Sequence, residues 1–276
     1  MARKVVVAHS PDSDDAFMFY GLATGKIRSS TVEFVHELHD IQTLNEAAYE
    51  GRYEMTAISY HAYPYVADRY ILTSAGSSVG DGYGPIVVSK HAMEASALAG
   101  KTVAIPGLRT TAYLALKLFE PDFEARVLPF DKIIPAVAAG EVDAGLVIHE
   151  GQLNFHRAGV HRIVDLGAWW KKKHNLPLPL GGNVVLRSLD PGIQREIRRC
   201  FSESIQYALD HRAEALEYAL QFARGLDSAD ADRFVGMYVN HYTVEMKPEV
   251  VRSAQILLDA GVAAGIIAKP VKIDYV

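Results

Sequence analysis

Ala144-Gly145-Leu146-Val147-Ile148-His149-Glu150 is the stretch whose reading decides the fold of this chain. Apolar residues run without interruption and then stop at an imidazole and a carboxylate. A short, wholly apolar run bounded by polar residues is the pattern of a strand buried on both faces, as in a parallel sheet covered by helices. In such open sheets ligands bind beyond the carboxyl ends of the strands. His149 stands at that end, where an imidazole can exchange a proton near neutral pH. A lone histidine there would be read as a strand-ending residue bonded to a loop carbonyl. Three other corners shift the balance toward a site.

The first corner is His9-Ser10-Pro11-Asp12-Ser13-Asp14-Asp15, after an apolar strand over 4–8. The second is Ser59-Tyr60, after a strand over 55–58. The third is Gly107-Leu108-Arg109-Thr110-Thr111, after a strand over 102–105. Each can be a plain N-cap for the helix that follows. Each can also present hydroxyls and free N–H groups to a ligand, and the paired threonines suit an anion at a helix start. Ser10 and Ser59 are expected to orient hydroxyls of a ligand from the lobe opposite Thr110, Thr111 and His149.

Working outward, strand and helix patterns alternate. Residues 15–22 read as a helix closed near Gly25, and 32–35 as a strand. Asp40 is a good N-cap, with Ile41, Leu44 and Ala48 at helical spacing until Gly51. Strands are expected over 71–74 and 86–88, on either side of a glycine-rich loop. A second unit follows, with helices over 110–119 and 132–139 and the strand over 144–148. Residues 175–182, rich in proline and glycine, read as a loop, and 184–186 as a strand returning across the molecule. Ile193, Ile197, Phe201, Ile205 and Leu209 then recur on one helix face. Asp210 is placed to cap a second helix running to Arg224 before Gly225, and a last helix is expected between Pro248 and Gly261.

This order predicts an α/β fold of two lobes, 1–88 with 186–276 and an inserted 89–185, with a ligand cleft between them. That is the plan of a two-lobed solute-binding protein. A chain of 276 residues that is 49% hydrophobic is long enough to build both cores. The net charge of -5, with no basic run longer than Lys171-Lys172-Lys173, argues against nucleic acid as a partner. The apolar start of the chain is too short for a signal peptide, and no segment approaches the roughly 20 apolar residues of a membrane span. A soluble, cytoplasmic protein is expected. The lone Cys200 forms no intramolecular disulfide and reads as a structural thiol. The dinucleotide, Walker, nucleophile-elbow and zincin motifs are absent, and His149, Glu150 and His156 match no zinc spacing. An enzyme built on this chain would work by acid–base chemistry and positioning, without cofactor or metal.

A family resemblance lies on these same residues. It is carried by Ser10-Pro11 with Asp15 and Phe17-Met18-Phe19-Tyr20, by Asp40-Ile41-Gln42-Thr43-Leu44-Asn45 and Ile58-Ser59-Tyr60, and by Thr110-Thr111-Ala112-Tyr113. It continues through Ile148-His149-Glu150 and Asp165-Leu166-Gly167-Ala168-Trp169-Trp170, and closes on Leu176-Pro177-Leu178-Pro179-Leu180-Gly181. In order and over nearly the whole chain, these resemble the 1,4-dihydroxy-6-naphthoate synthase family of the futalosine route to menaquinone. The resemblance implies a type II periplasmic-binding-protein-like fold working as a cytoplasmic, cofactor-independent lyase. The implied reaction converts cyclic dehypoxanthine futalosine to 1,4-dihydroxy-6-naphthoate and releases dihydroxyacetone. It places the proton acceptor on His149 and the substrate-binding segments on Ala57, Ile58 and Ser59 and on Thr110 and Thr111. The implied partner is a small carboxylate; a homodimer is also compatible with the apolar C-terminal helices. The chain departs from the family at Ala57, where lysine is common, and at Asp12-Ser13-Asp14-Asp15, where Cys-Pro-Asn-Asp is common. Chorismate dehydratase of the same pathway and a non-catalytic cytoplasmic solute-binding protein are the alternative readings.

Overall fold

A computed structural model describes residues 2–222 and 228–276. Its strands are β1 (Arg3–His9), β2 (Val32–Leu38), β3 (Met55–Ser59), β4 (Tyr70–Leu72), β5 (Ser78–Gly80), β6 (Ile86–Ser89), β7 (Thr102–Ile105), β8 (Glu124–Val127), β9 (Ala144–Val147), β10 (His161–Asp165) and β11 (Leu178–Leu186). Its helices are α1 (Ser13–Ala23), α2 (Ile41–Glu50), α3 (Tyr63–Val66), α4 (Thr111–Phe119), α5 (Phe130–Ala139), α6 (Gly151–Asn154), α7 (Leu166–His174), α8 (Pro191–Asp210), α9 (Arg212–Leu220), α10 (Ser228–Tyr238), α11 (His241–Val244) and α12 (Pro248–Ala263). None of the described helices is long and apolar enough to cross a membrane.

Two sheets carry the molecule, and they are built alike. The first has the order β2-β1-β3-β11-β4, with β5 also paired to β11; the second has the order β10-β6-β9-β7-β8. In each, a central strand (β1, β7) is flanked by two parallel partners, β2 and β3 in the first sheet and β8 and β9 in the second. In each, the next strand out runs antiparallel: β11 beside β3, and β6 beside β9. These antiparallel strands are the ones that arrive from the other lobe. The parallel strands therefore end on the same edge of each sheet, and the chain turns there into α1, α4 and α6.

The apolar runs explain the burial. All residues of β3 and β9 are buried, as expected for strands covered on both faces. Gly145 belongs to that covering: a Cβ there would stand 2.5 Å from Ile133 Cγ2, so glycine lets α5 lie directly on β9. Helix α1 buries Phe17, Met18, Phe19, Tyr20 and Leu22 between the first sheet and α8. Ser204 of α8 seals the crossing, donating to Met18 O at 2.8 Å and accepting from Leu22 N–H at 3.1 Å.

Several expectations need correction. The stretch 175–182 is not all loop, because β11 begins at Leu178. Pro179, which has no N–H to pair, sits at a register shift between Pro179 and Gly181. Gly182 lies where a Cβ would be 3.2 Å from Leu72 Cδ2, so glycine there serves close strand packing rather than a turn. β6 from Ile86 belongs to the second sheet and β11 from Leu178 to the first, so both crossings fall upstream of 88 and 185. Asp210 ends α8 instead of capping α9, which starts after His211. The helix end expected at Arg224 and Gly225 lies outside the described residues. Helix α12 does not belong to the first lobe alone: it packs on both β11 and α4, and Ser253 joins Trp170 Nε1 to Pro177 O at 2.8 and 2.6 Å. Cys200 is fully buried, and burial raises its thiol to about 11, as suits a structural residue.

Phe201 (0% exposed) stacks on Phe19 at 4.5 Å, and Phe19 on His9 at 4.1 Å. Phe201→Ala should cost about 3–5 kcal/mol and lower the melting temperature in a calorimetric scan. Burial, reinforced by His36, pushes His9 down to about 3, so the folded ring stays neutral where an unfolded one would take a proton. Its share of stability is therefore present above about pH 6.5 and is lost as the pH falls toward 3. His9→Phe removes that proton uptake, so its melting temperature should fall less between about pH 6.5 and about pH 5 than that of the wild type.

Candidate active site

A cleft of about 790 Å³, counted to its mouth, lies between the two sheets. Ser10 enters it after β1, Ala57, Ile58 and Ser59 from β3, and Thr110 and Thr111 at the start of α4. All six of these sequence-selected residues thus line one cavity.

Local bonding shows what each can offer. Ser10 N–H donates to Asp15 Oδ2 at 2.8 Å, and Ser10 Oγ donates to Asp12 Oδ2 at 2.7 Å. Ser59 N–H donates to Asn45 Oδ1 at 2.9 Å, while Asn45 Nδ2 donates to Ser59 Oγ at 3.2 Å, leaving the serine proton to be directed at a ligand. Thr110 is the N-cap of α4: its Oγ1 accepts from Tyr113 N–H at 3.2 Å and donates to Gly107 O at 2.9 Å. Thr111 Oγ1 donates to Leu180 O and accepts from His61 N–H at 3.2 Å. The threonine hydroxyls are therefore largely spent on the protein. What remains at this corner is the positive end of α4, with the first-turn N–H groups of Thr111 and Ala112 beside the cavity.

His149 is placed differently from the other six. Ile148, not His149, lines the cleft. β9 ends at Val147, and the imidazole lies against Phe130, with Nε2 3.2 Å from Phe130 O and Nδ1 accepting from Gly151 N–H at 2.9 Å. A carbonyl can only accept, so this pairing corresponds to the Nε2–H tautomer. Gly151 makes the arrangement possible, since a Cβ there would come 2.6 Å from His149 Cε1. The next residue, Glu150, is 4% exposed and receives Ser13 Oγ at 3.1 Å, a bond that links the two lobes.

The first corner is acidic. Asp12, Asp14 and Asp15 all line the cleft. Burial raises Asp15 to about 7, opposed by the Ser10 N–H and assisted by Asp12. Burial, and then repulsion from Asp15, Asp12 and Glu150, hold Asp14 well above the usual carboxylate range. Among the described residues, no three His, Cys, Asp or Glu side chains converge as a metal-binding set.

Other cleft residues escape sequence reasoning. Phe234 and Tyr238 reach the cavity from α10, and Tyr238 donates to Gln152 Oε1 at 2.8 Å in the second lobe. Ala231, Phe234, Val235 and Tyr238 have the spacing of a helix face, but nothing in that spacing says which cavity it covers. Asn183 on the cleft wall and Asn45, bonded to Ser59 behind it, are buried polar residues. Asn45 follows Ile41 by four on the inward face of α2, and that misplaced polarity was the available signal.

Residues 5–263 match the family described as Menaquinone biosynthesis. The chain is 40% identical to the 1,4-dihydroxy-6-naphtoate synthase of Thermus thermophilus, over 94% of each sequence. Its structure is similar to the crystal structure of a protein from Archaeoglobus fulgidus, with TM-score 0.91 and 48% identity, covering 96% of this chain and 98% of that one. It also shares the fold of a Candida albicans protein described as having the generic periplasmic binding protein fold, with TM-score 0.71 at 15% identity and coverage of 98% and 92%. The two sheets and their cleft are thus a periplasmic-binding-protein-like fold, and the chain belongs to the menaquinone-biosynthesis family of enzymes.

Proposed function

We propose that this chain converts cyclic dehypoxanthine futalosine to 1,4-dihydroxy-6-naphthoate and dihydroxyacetone, as a cytoplasmic carbon–carbon lyase that uses no cofactor. The observation that carries this reading is the convergence of Ser10, Ala57–Ser59 and Thr110–Thr111 on one interlobe cleft in a chain so similar to a named synthase.

The chemistry divides between the lobes. The substrate carboxylate rests against the Thr111 and Ala112 N–H groups, where the α4 dipole favours negative charge. Ser10 and Ser59 orient hydroxyls from the first lobe. His149 accepts the proton of a substrate hydroxyl. In the Nε2–H tautomer the basic atom is Nδ1, so the ring must leave Gly151 N–H and turn from Phe130 toward the cleft. As the proton moves to Nδ1, the O–H electron pair becomes a C=O bond. The neighbouring carbon–carbon bond breaks, and its electrons enter the ring that becomes aromatic. Lobe closure excludes water and holds the reacting atoms in place.

His149→Ala should lower kcat/KM by about 10²–10⁴-fold in steady-state assays of product formation while the protein stays folded. Turnover within about threefold of wild type would remove the histidine from the mechanism. Gly151→Ala, whose Cβ would displace the ring, should depress kcat more than it raises KM. Chorismate supplied in parallel separates the alternatives: its dehydration would redirect the assignment, and ligand binding without chemical change would mark a binding protein.

A further inference from the structure

Asn183 lies on the wall of the cleft, and the reaction scheme above gives it no part. It sits within β11, 2% exposed, and stands opposite Ala57 in the antiparallel pair with β3. Gly181, two residues earlier, stands opposite Ser59. Residues two apart on a strand, and residues directly opposite across a pair, share one face of the sheet. Ala57, Ser59, Gly181 and Asn183 therefore form one patch, and all four line the cleft. Two of them are nearly bare. Ala57 offers a single methyl, and a Cβ on Gly181 would make an ordinary contact of 3.4 Å with Ile58 O, so the space over it is open. The patch is thus low at Ala57 and Gly181, with a hydroxyl at one corner and a carboxamide at the diagonal one.

The carboxamide is fixed, and only half of it is used. Nδ2 donates to Gly76 O at 3.0 Å; a carbonyl only accepts, so this bond identifies the other end of the amide as oxygen. The main chain is tied as well, with Asn183 O accepting from Thr73 N–H at 2.8 Å and from Thr73 Oγ1 at 3.1 Å. Asn183 Oδ1 has no hydrogen-bond partner among the described residues. A buried acceptor left bare is costly, and such groups are rare in folded proteins. The fold has already taken this oxygen out of water, so a ligand proton that reaches it gains a bond without that loss.

We propose that Asn183 determines specificity: its Oδ1 accepts a hydrogen bond from a substrate hydroxyl laid over Ala57 and Gly181, while Ser59, at the diagonal corner, gives its proton to a neighbouring oxygen. The proposal rests on the reaction assigned above for the identity of the substrate, whose dihydroxyacetone portion carries oxygens besides the one that His149 deprotonates. The position demands a donor. An ether, a carbonyl or a bare carbon in place of the hydroxyl leaves Oδ1 unpaired.

Steady-state kinetics test this, with cyclic dehypoxanthine futalosine and with analogues that keep the reacting hydroxyl and lack one other. With the wild type, one analogue should lose about 10- to 100-fold in kcat/KM. Asn183→Ala, and Asn183→Leu of similar shape, should use the full substrate less well by a similar factor, chiefly through KM. Both should distinguish it from that analogue by less than about threefold. A purely structural role for the amide, exerted through Gly76 O, would lower the melting temperature and leave the wild-type preference intact in both variants; that result overturns the proposal. Equal use of every analogue by the wild type also overturns it, whether or not the variants fold. Calorimetric titration of the wild type with the same ligands reads the preference as a ratio of Kd values without turnover. A wild type that binds the substrate but leaves it unchanged sinks the reaction assignment alone, and the Kd ratio still decides the role of Asn183. A wild type that neither binds nor converts it overturns both.

Discussion

Antiparallel pairing of two crossing strands is the constraint on which this molecule depends. β11 pairs with β3 from Gly181 opposite Ser59 to Val185 opposite Met55, and β6 pairs with β9 from Ile86 opposite Val147 to Ser89 opposite Ala144. Each crossing strand is thereby knit into the sheet it enters, beside the strand that ends at the cleft. Backbone hydrogen bonds tolerate little slip, because moving a strand by one residue would turn every side chain to the opposite face. The connections between lobes are consequently anchored close to Ser59 and to the end of β9. The cleft inherits its geometry from pairing in the two sheets rather than from the loops that line it.

The cleft is electrically uneven. The second lobe offers the start of α4, where backbone N–H groups favour an anion. The first lobe offers Asp12, Asp14 and Asp15, crowded further by Glu150 from across the gap. The same crowding costs stability. A carboxyl raised to about 7, such as Asp15, favours the folded state only while protonated, and that contribution fades as the pH climbs from the unfolded carboxylate value through neutrality. Positions that weaken the fold in this way are common where function needs an unusual protonation state.

The lobes share one apolar cluster, in which Ile58, Tyr60 and Leu72 of the first pack with Ile105, Leu114 and Trp170 of the second, and polar bonds add to it at the cleft. Ser13 reaches Glu150, Tyr238 reaches Gln152, and Arg157 pairs with Asp230 at 3.0 Å. Bonds of this kind exchange with water at modest net cost, in contrast to the apolar packing of α1 on α8. Helix α12 packs on both β11 and α4.

The sequence by itself determined the alternation of strand and helix, the four polar corners and the membership of the family. Those features live in local pattern: apolar runs, caps such as Asp40 and Thr110, and glycine at helix ends. It misread 178–182 because proline and glycine mark turns in most settings, whereas here they serve a register shift and a close strand approach that depend on β3, β4 and β5. Only the tertiary structure decided that Phe234, Tyr238 and Asn183 share the cleft, since they come from segments far apart in the chain. It alone decided that His149 rests on Phe130 and Gly151 and that Glu150 accepts from Ser13 across the cleft. Side-chain direction at the end of a strand, and charge brought close across two lobes, follow from packing over long sequence distances, and no local pattern encodes them.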